Sequence, residues 1–422
     1  MPVIVQKFGG TSVADAHRIH LAARRAVRAK LAGRQVVLVV SAMGHTTDHL
    51  IDLAMQVSRH PPKREMDMLL ATGEQVSIAL MAMAIHEAGY EAISLTGAQV
   101  GLVTDSRHTE ARIRSIDTQR LHKLLDQGRI VIVAGFQGAD PEANITTLGR
   151  GGSDTTAVAL AAALRAEMCE IYTDVDGVYT ADPRVVPQAR KLDTILYDEM
   201  LELASLGAGV MHARAMELGK KHDLPLHIRS SFTDGPGTMV TSESSGMEDV
   251  AIRGVTQRPE IARITFHSLP REPQIIAAIF DEIARRQINV DDIIQNVTDD
   301  GSALTLSFTV GGRDAGTAQV VAELMGQRFG PLRIDVDEDL ARVSLVGVGM
   351  RSHPGVAATM FSALASEGIR IENISTSEIV ISVLVRRGDM ERAVQAVHNA
   401  FGLGLAPQPL NPSRDREGAG TA

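Results

Sequence analysis

Short, uninterrupted apolar runs bounded by glycine constrain the first half of this 422-residue chain most strongly. Residues 36–40 (VVLVV) and 130–133 (IVIV) are the clearest examples. Such runs are typical of strands buried on both faces, as in a parallel sheet covered by helices. Helical segments such as 67–88 and 154–166 lie between the runs. Residues 1–232 are therefore predicted to form an α/β domain with a mostly parallel sheet and helices on both faces.

The chain repeats itself after a linker at residues 233–249 that is rich in Gly, Ser, Thr and Asp. The strand-like segment LTLSFTV at 304–310 matches IVISVLV at 379–385, and a helical segment precedes each. We predict two βαββαβ units, each with a four-stranded sheet, and a disordered tail that has few apolar residues to bury. The predicted segments are 250–337 and 338–403 for the two units and 404–422 for the tail.

Composition excludes several classes of function. The net charge of −9 argues against a nucleic-acid-binding protein, which usually presents a basic face. The single cysteine, Cys169, rules out an internal disulfide, and its apolar surroundings predict a buried, unreactive thiol. The N-terminus lacks the pattern of a secretory signal, and no uninterrupted apolar stretch of about 18 residues predicts a membrane span. We therefore expect a cytoplasmic protein that binds neither nucleic acid nor membrane.

Two glycine-rich segments are candidates for binding an anion. The first, Lys7-Phe8-Gly9-Gly10, follows a strand and combines a positive charge with a turn that a ligand can approach closely. A tight turn with a solvated lysine explains this segment equally well. The second segment is residues 149–156 (GRGGSDTT), which precede an Ala-rich helix. A helix cap at Ser153 or Asp154 explains one polar residue there, whereas three glycines around Arg150 suit a loop that binds a carboxylate.

Three further segments carry polar residues at strand ends or inside apolar runs. Residues 173–184 (TDVDGVYTADPR) follow a strand and fit either a surface loop or a nucleotide-binding loop. Residues 41–47 (SAMGHTT) follow another strand, where ligands bind in open α/β sheets. Glu74 lies in an otherwise apolar stretch, so it needs a buried partner, either an arginine or the ammonium group of a ligand.

Taken together, these motifs resemble the aspartate kinases of the amino-acid kinase fold. The segments KFGGTSVAD, SAMGHTTD, MDMLLATGEQVS, TLGRGGSDTTA and TDVDGVYTADPR occur in the order typical of that family. The repeat resembles the family's paired ACT domains, notably in INVDDIIQNV and SHPGVAATMFSALASEGIRIENISTSEI. The resemblance extends from residue 3 to about residue 402. It implies transfer of phosphate from ATP, with Mg²⁺, to L-aspartate, in a homo-oligomer regulated by lysine, threonine or both.

The resemblance also implies roles for particular residues. It gives catalytic roles to Lys7 and Asp154 and assigns no protein ligand to a metal. ATP would be bound by Lys7, Phe8, Gly9, Gly10, Thr173, Asp174, Tyr179, Arg184, Gly209 and Val210. Aspartate would be bound by Ser41, Thr47, Glu74, Arg150, Gly151, Gly152 and Ser153. Effector amino acids would be bound by Asp291, Gln295, Asn373 and Ile374.

The sequence departs from the family pattern at a few of these segments. Gly209 stands where a nucleotide-contacting lysine is usual, and His45 replaces an aspartate. In the first repeat, Gln274 replaces a glycine and Asp292 a methionine. The first departure bears on ATP binding and the last two on the identity of the effector.

Two other functions remain open on the sequence. Another amino-acid kinase would act on glutamate, acetylglutamate or a nucleoside monophosphate, and an inactive sensor would use only the repeat region. The retention of Lys7, Arg150, Asp154 and Arg184 argues against the sensor. Exposed edges of the predicted sheets favour at least a dimer through the ACT units. Met247 in the linker is a possible start for a separately made chain containing only those units.

Overall fold

The computed structural model describes residues 1–207, 210–242, 251–298, 301–329, 333–348, 350, 353 and 355–405. The chain divides into two units. The first unit contains Met1–Tyr179 and Lys191–Met247, and the second contains Thr180–Arg190 and Glu248–Ala422. The predicted first domain is therefore interrupted, because residues 180–190 group with the repeat region. Met247 and residues 406–422 of the predicted tail lie outside the described residues.

Strands of the first unit form two sheets. They are β1 (Val3–Phe8), β2 (Gln35–Val40), β3 (Ala92–Leu95), β4 (Leu102–Thr104), β5 (Ile113–Ile116), β6 (Ile130–Ala134), β7 (Gln137–Ala139), β8 (Ile145–Thr147), β9 (Met168–Thr173), β10 (Thr194–Leu196), β11 (Leu226–Ser230) and β12 (Thr238–Thr241). The large sheet has the order β10-β12-β11-β9-β1-β2-β6-β3, and the small one β5-β4-β7-β8. Among the described pairs of the large sheet, only β11 with β12 is antiparallel, so the predicted α/β class with a mostly parallel sheet is confirmed.

Helices pack on the large sheet through apolar faces. The helices of this unit are α1 (Ala16–Leu31), α2 (Thr46–Val57), α3 (Lys63–Glu87), α4 (Gln119–Asp126), α5 (Gly152–Ala163), α6 (Tyr197–Leu206) and α7 (Ala213–Lys221). Ile19 of α1 and Met81 of α3 share one core with Leu38 of β2 and Ile132 of β6. Helix α3 is long and apolar enough to cross a membrane, but half of its most apolar window is buried in this unit. This burial is consistent with a core helix of the first unit.

The repeat region of the second unit forms one continuous six-stranded sheet. Its strands and the helices between them are β13 (Ala251–Pro270), α8 (Pro273–Arg285), β14 (Val290–Val297), β15 (Ala303–Gly311), α9 (Ala315–Phe329), β16 (Arg333–Val348), α10 (Gly355–Ser366), β17 (Asn373–Thr376), β18 (Val380–Arg386) and α11 (Met390–Ala400). The strand order in the sheet is β14-β15-β13-β16-β18-β17.

The two repeats share their central strands. Residues 261–266 of β13 pair with β15 in the first repeat, whereas residues 251–258 pair with residues 342–348 of β16 in the second. Each repeat therefore has four strands, as predicted, but the two are fused through β13 and β16 instead of forming separate sheets. The strand 251–258 belongs to the second repeat, although the predicted limits placed it in the first.

Candidate active site

The carboxyl ends of four neighbouring strands meet at one edge of the large sheet. Strands β9, β1, β2 and β6 are adjacent and parallel, so the loops that follow them leave from the same edge. The amide of Gly44 donates to the carbonyl of Gly10 at 3.0 Å, and the amide of Gly135 donates to that of Val40 at 3.0 Å. A Cβ on Gly10 would lie 2.9 Å from the carbonyl oxygen of Ala42. Glycine is therefore needed where these loops meet.

Lys7 of β1 and Asp154 of α5 form an ion pair at this edge. The distance from Lys7 Nζ to Asp154 Oδ1 is 2.6 Å, and the two side chains are 11% and 14% exposed. A Cβ on Gly9 would lie 3.4 Å from the same Nζ, so the turn passes close to the ammonium group. Lys7 is therefore not the solvated lysine of an ordinary turn. It is a partly desolvated charge held by a carboxylate.

Helix α5 presents its N-terminus to the site without a side-chain cap. Its first residue is Gly152, and its N-cap is Gly151, which has a φ of 67° and makes no capping side-chain bond. The interpretation of Ser153 or Asp154 as the cap is wrong, because both lie inside the first turn. The first amides of a helix have no intrahelical acceptor, and the helix dipole favours an anion there. This helix end is suited to bind a phosphate or carboxylate.

Arg150 is placed on a short loop between two glycines. Gly149 and Gly151 both have left-handed backbones, with φ of 75° and 67°, which glycine adopts without strain. A Cβ on Gly151 would lie 2.3 Å from the side chain of His212, so this position also needs a residue without one. The exposed Arg150 guanidinium bonds no other described residue. It is available to bind a carboxylate through two parallel hydrogen bonds.

Glu74 lies buried on α3 with one carboxylate oxygen in use. Its Oε1 accepts from the amide of Ala42 at 3.1 Å, while its buried Oε2 has no partner among the described residues. Burial raises the pKa of Glu74 to about 7, against the opposing effect of the Ala42 hydrogen bond. Of the two predicted partners, an arginine is not found beside Glu74 among the described residues. Ser41 and Thr47, both half-buried, lie at the end of β2 and in the first turn of α2.

The loop after β9 brings together part of the predicted nucleotide site. Thr173 Oγ1 donates to the exposed Asp174 at 3.1 Å. The Tyr179 hydroxyl donates to Asp176 Oδ1 at 2.8 Å, and Lys191 pairs with the same carboxylate at 3.3 Å. Burial and the neighbouring Asp176 raise the pKa of Tyr179. Asp176 and Lys191 therefore fix the ring of Tyr179 at the end of this loop.

Three further predicted nucleotide residues, Arg184, Gly209 and Val210, come later in the chain. Arg184 belongs to the second unit, and its guanidinium pairs with Asp182 at 2.7 Å. This hydrogen bond lowers the pKa of Asp182. Val210 is half-buried between α6 and α7, and Gly209 lies outside the described residues.

Two residues that the sequence reasoning missed bond the loops around Arg150. Asp67, on α3, is fully buried and accepts hydrogen bonds from Thr109 in the loop after β4 and from Thr147 at the end of β8. Arg214, on α7, donates to two backbone carbonyls. A sequence pattern could have indicated Asp67. It lies in the same apolar run as Glu74, seven residues earlier, and therefore on the same face of a helix. No local pattern indicated Arg214, because its partners are remote in sequence.

In the second unit, Asp291 is already bonded within the protein. Arg342, 3% exposed, pairs with Asp291 and with Asp292, the latter at 2.5 Å. These interactions lower the pKa of Asp291 against the effect of its burial. Asp291 is thus less available to an effector than the sequence suggested. The other predicted effector residues lie on the two edge strands of the sheet: Gln295 on β14, and Asn373 and Ile374 on β17.

Comparison with known proteins identifies both parts of the chain. Residues 2–230 match the Amino acid kinase family, and residues 343–401 match an ACT domain. The chain is 53% identical over 404 residues to an aspartokinase of Geobacillus stearothermophilus, covering 96% of this chain and 98% of the relative. It is 52% identical over 410 residues to Aspartokinase 2 of Bacillus subtilis, covering 97% and 100%.

Solved structures agree with this assignment. Escherichia coli aspartokinase III in complex with aspartate and ADP, in its R-state, has a TM-score of 0.80 at 27% identity and covers 95% of this chain and 100% of its own. The same enzyme with lysine and aspartate, in its T-state, has a TM-score of 0.75 at 27% identity, covering 94% and 99%. With its strand-end site and fused repeats, this chain belongs to the aspartokinase family and is a kinase that acts on aspartate.

Proposed function

We propose that this enzyme transfers the γ-phosphoryl group of ATP to the β-carboxylate of L-aspartate, giving 4-phospho-L-aspartate and ADP. One observation carries the proposal: a Lys7–Asp154 ion pair at the strand ends, in a unit that also leaves Glu74 Oε2 and the Arg150 guanidinium without a described partner. The two unpartnered groups match the ammonium and α-carboxylate of a free amino acid. The solved E. coli relative with aspartate and ADP supports the choice of ligands.

The chemistry needs little beyond positioning and charge. The β-carboxylate of aspartate is ionised at neutral pH, so no general base is needed to activate it. The site must bring this carboxylate in line with the γ-phosphate and stabilise the charge that develops. In the proposal, Lys7 and the Gly9-Gly10 turn hold phosphate oxygens, and Asp154 fixes the Lys7 ammonium. Ser41, Thr47, Gly151, Gly152 and Ser153 line the path between aspartate and the phosphate.

The nucleotide would lie along the loop after β9. In the proposal, Thr173, Asp174 and Tyr179 contact the nucleotide there, together with Phe8, Gly209 and Val210. Arg184, which groups with the second unit, stays a candidate from the sequence. Mg²⁺ would arrive on the ATP phosphates, where it neutralises charge during transfer. In the proposal, the exposed carboxylate of Asp174 is the protein group that could contact this Mg²⁺. We also propose that the protein is located in the cytoplasm.

An assay of acceptor choice tests this function. Purified full-length chain with ATP and Mg²⁺ is given aspartate, glutamate, acetylglutamate or a nucleoside monophosphate. Acyl phosphate is trapped with hydroxylamine, and a nucleoside diphosphate formed from the monophosphate is measured by chromatography. We expect hydroxamate only from aspartate. At aspartate concentrations below the wild-type KM, Glu74→Gln and Arg150→Ala should form much less of this product while retaining nucleotide binding. Equal product from glutamate or acetylglutamate would contradict the proposed acceptor, and absence of product from every acceptor would contradict the phosphotransfer itself.

We further propose feedback inhibition by lysine, threonine or both through the ACT repeats. The solved E. coli relative in its T-state holds lysine. In this chain, β14 and β17 form the two edges of the six-stranded sheet, and Ile293 and Ile374 on them are 54% and 47% exposed. A second chain pairing along such edges would cover both the apolar side chains and the open backbone groups. We propose that this pairing makes at least a homodimer and forms the effector sites.

A separately made ACT chain starting at Met247 is part of the proposal on oligomers. The residue lies in the linker, so a start there would cut no described strand. Expression of the native gene, followed by immunoblotting for the C-terminal region, would show a second, shorter chain. Mutation of Met247 should remove that chain. A single full-length band from the native gene would contradict this part of the proposal.

A further inference from the structure

A loop of the first unit is bonded to the end of a strand directly before the segment that carries Arg150. This loop, residues 105–112, connects β4 to β5, and the segment is a second loop, residues 148–151, that connects β8 to α5. The amide of Ala111 in the first loop donates to the carbonyl of Thr147, which precedes the second loop, at 2.9 Å. The backbone that supports Arg150 therefore depends on a neighbour about 40 positions earlier in the sequence.

The carboxylate of Asp67 bonds both sides of this junction. It accepts from the Thr147 hydroxyl at 2.6 Å, from the Thr109 amide at 3.0 Å and from His108 Nδ1 at 2.7 Å. The side chain is fully buried. A buried carboxylate that accepts several hydrogen bonds holds its partners in one arrangement, because losing any of them leaves an unpaired polar group. Asp67 thus anchors to α3 both the 105–112 loop and the end of β8, from which the 148–151 loop starts.

Arg214 makes a second connection from a different helix. Its Nη1 donates to the carbonyl of Leu148 at 2.9 Å, and its Nη2 donates to that of Ala111 at 2.8 Å. Partial burial lowers the pKa of this guanidinium. Two residues earlier on α7, the side chain of His212 packs against Gly151. Helix α7 therefore contacts the 148–151 loop on both sides of Arg150.

We propose that Asp67 and Arg214 are positioning residues that clamp these loops so that Arg150 is pre-aligned for the substrate carboxylate. The inference rests on the proposed aspartate site. Arg150 lies between Gly149 and Gly151, and glycines leave a loop many alternative conformations. Bonds to the residues just before these glycines remove that freedom before the substrate arrives. Displacement of a positioning group by about 1 Å can cost roughly 100-fold in rate.

Kinetics of four variants test the clamp. Arg214→Met and Asp67→Asn should each lower kcat/KM for aspartate by about 10–100-fold, mainly through KM, while KM for ATP changes by less than about threefold. Arg214→Lys should recover part of the loss, because one ammonium can reach one of the two carbonyls. Arg114→Met is the matched control: Arg114, on β5, is 65% exposed, and the ion pair found for it among the described residues is with Asp105. It should behave like the wild type.

Hydrogen exchange measures the clamp without relying on activity. The amides of Thr109 and Ala111 should exchange faster in Arg214→Met and Asp67→Asn than in Arg114→Met, whereas amides of β1 should be unchanged. An inactive wild type would contradict the proposed function and still allow this measurement. The clamp itself is refuted by unchanged exchange in these loops, by an aspartate KM within about twofold of wild type, or by equal increases in both KM values.

Discussion

The two units of this protein bury charge in different ways. In the first, Lys7 and Asp154 pair where strands end, and Glu74 keeps one buried oxygen without a described partner. In the second, Arg342 is buried in the middle of a strand. Its two terminal nitrogens pair with carboxylates of the protein itself, those of Asp291 and Asp292. The first arrangement leaves charges available to a ligand. The second connects strands of the protein to one another.

Backbone conformation explains part of this difference. The charges of the first unit lie beside Gly10 and Gly151, where loops approach so closely that a Cβ would collide with neighbouring atoms. Loops of this kind can bring amides to an anion. Arg342 instead lies on a strand paired on both sides, opposite Arg258 at the start of a register shift and opposite Leu384 on the other side. Strand pairing occupies much of the backbone there, and the Arg342 side chain connects the strand to carboxylates of the protein.

The largest effect that tests this comparison is expected in the second unit. Arg342→Met should lower the free energy of unfolding there by about 3–5 kcal/mol, because it leaves a buried carboxylate without its partner. Urea-dependent hydrogen exchange of β16 and β18 amides measures this loss. Arg333→Met, which removes an exposed pair with Asp335, should cost no more than about 1 kcal/mol. Equal costs for the two variants would mean that the buried pair is not a structural connection.

The next effect concerns the ion pair of the first unit. Asp154→Asn should reduce kcat by about 100- to 1,000-fold with a smaller effect on ATP binding, because it removes charge organised around the phosphoryl group. Steady-state kinetics with a nucleotide-binding titration separate the two effects. Asp126→Asn, an exposed change at the end of α4, is the control. A variant that kept more than about a third of wild-type kcat would remove Asp154 from the catalytic site.

Loss of the Arg150 guanidinium should have a somewhat smaller effect. Arg150→Ala should raise KM for aspartate by about 10- to 150-fold, the equivalent of one charge-assisted hydrogen bond. KM for ATP should change less, since the proposed contact is with the amino acid. Arg59→Ala, at an exposed arginine after α2, serves as the control. If aspartate KM did not change in Arg150→Ala, the unpaired guanidinium would not be a substrate-binding group.

The raised pKa of Glu74 predicts a pH dependence of stability. Its carboxyl rises from an ordinary pKa of 4.5 to about 7 in the folded protein, so the folded state holds an extra proton between these values. The free energy of unfolding should therefore fall as pH increases through this window in the absence of substrate. Glu74→Gln should lack this component, and bound aspartate should reduce it by supplying an ammonium. Parallel melting curves for wild type and Glu74→Gln from pH 5 to 8 would contradict the prediction.

The smallest effect is expected at the proposed effector residues. Gln295→Ala on β14 should raise the half-inhibitory concentration of lysine plus threonine by about 5-fold or more, within the usual range of allosteric coupling. Activity assays over a range of effector concentrations measure this shift. Gln319→Ala, on the exposed face of α9, is the matched control. Indifference of the wild type to millimolar lysine plus threonine would remove the feedback proposal.

Local patterns were sufficient for much of the fold and part of the site. The runs at 36–40 and 130–133 form buried parallel strands, because such apolar runs match strands covered on both faces. The glycines around Lys7 and Arg150 lie in turns that need them. The composition of residues 149–156 allowed Ser153 or Asp154 to cap the helix, and the structure excludes both by placing Gly151 at the N-cap.

Contacts between remote residues were decided by the tertiary structure. Asp67 bonds Thr147, 80 positions away, and Arg214 bonds Ala111, 103 positions away. Two features of the domain organisation also depend on remote contacts. Residues 180–190 group with the repeats, and residues 251–258 pair with the second repeat. Sequence alone determined the alternation of strands and helices, the glycine turns and the repeat, because these depend on neighbours within a few positions. Partners of buried polar groups depend on which distant segments the folded sheet brings together, so only the tertiary structure specifies them.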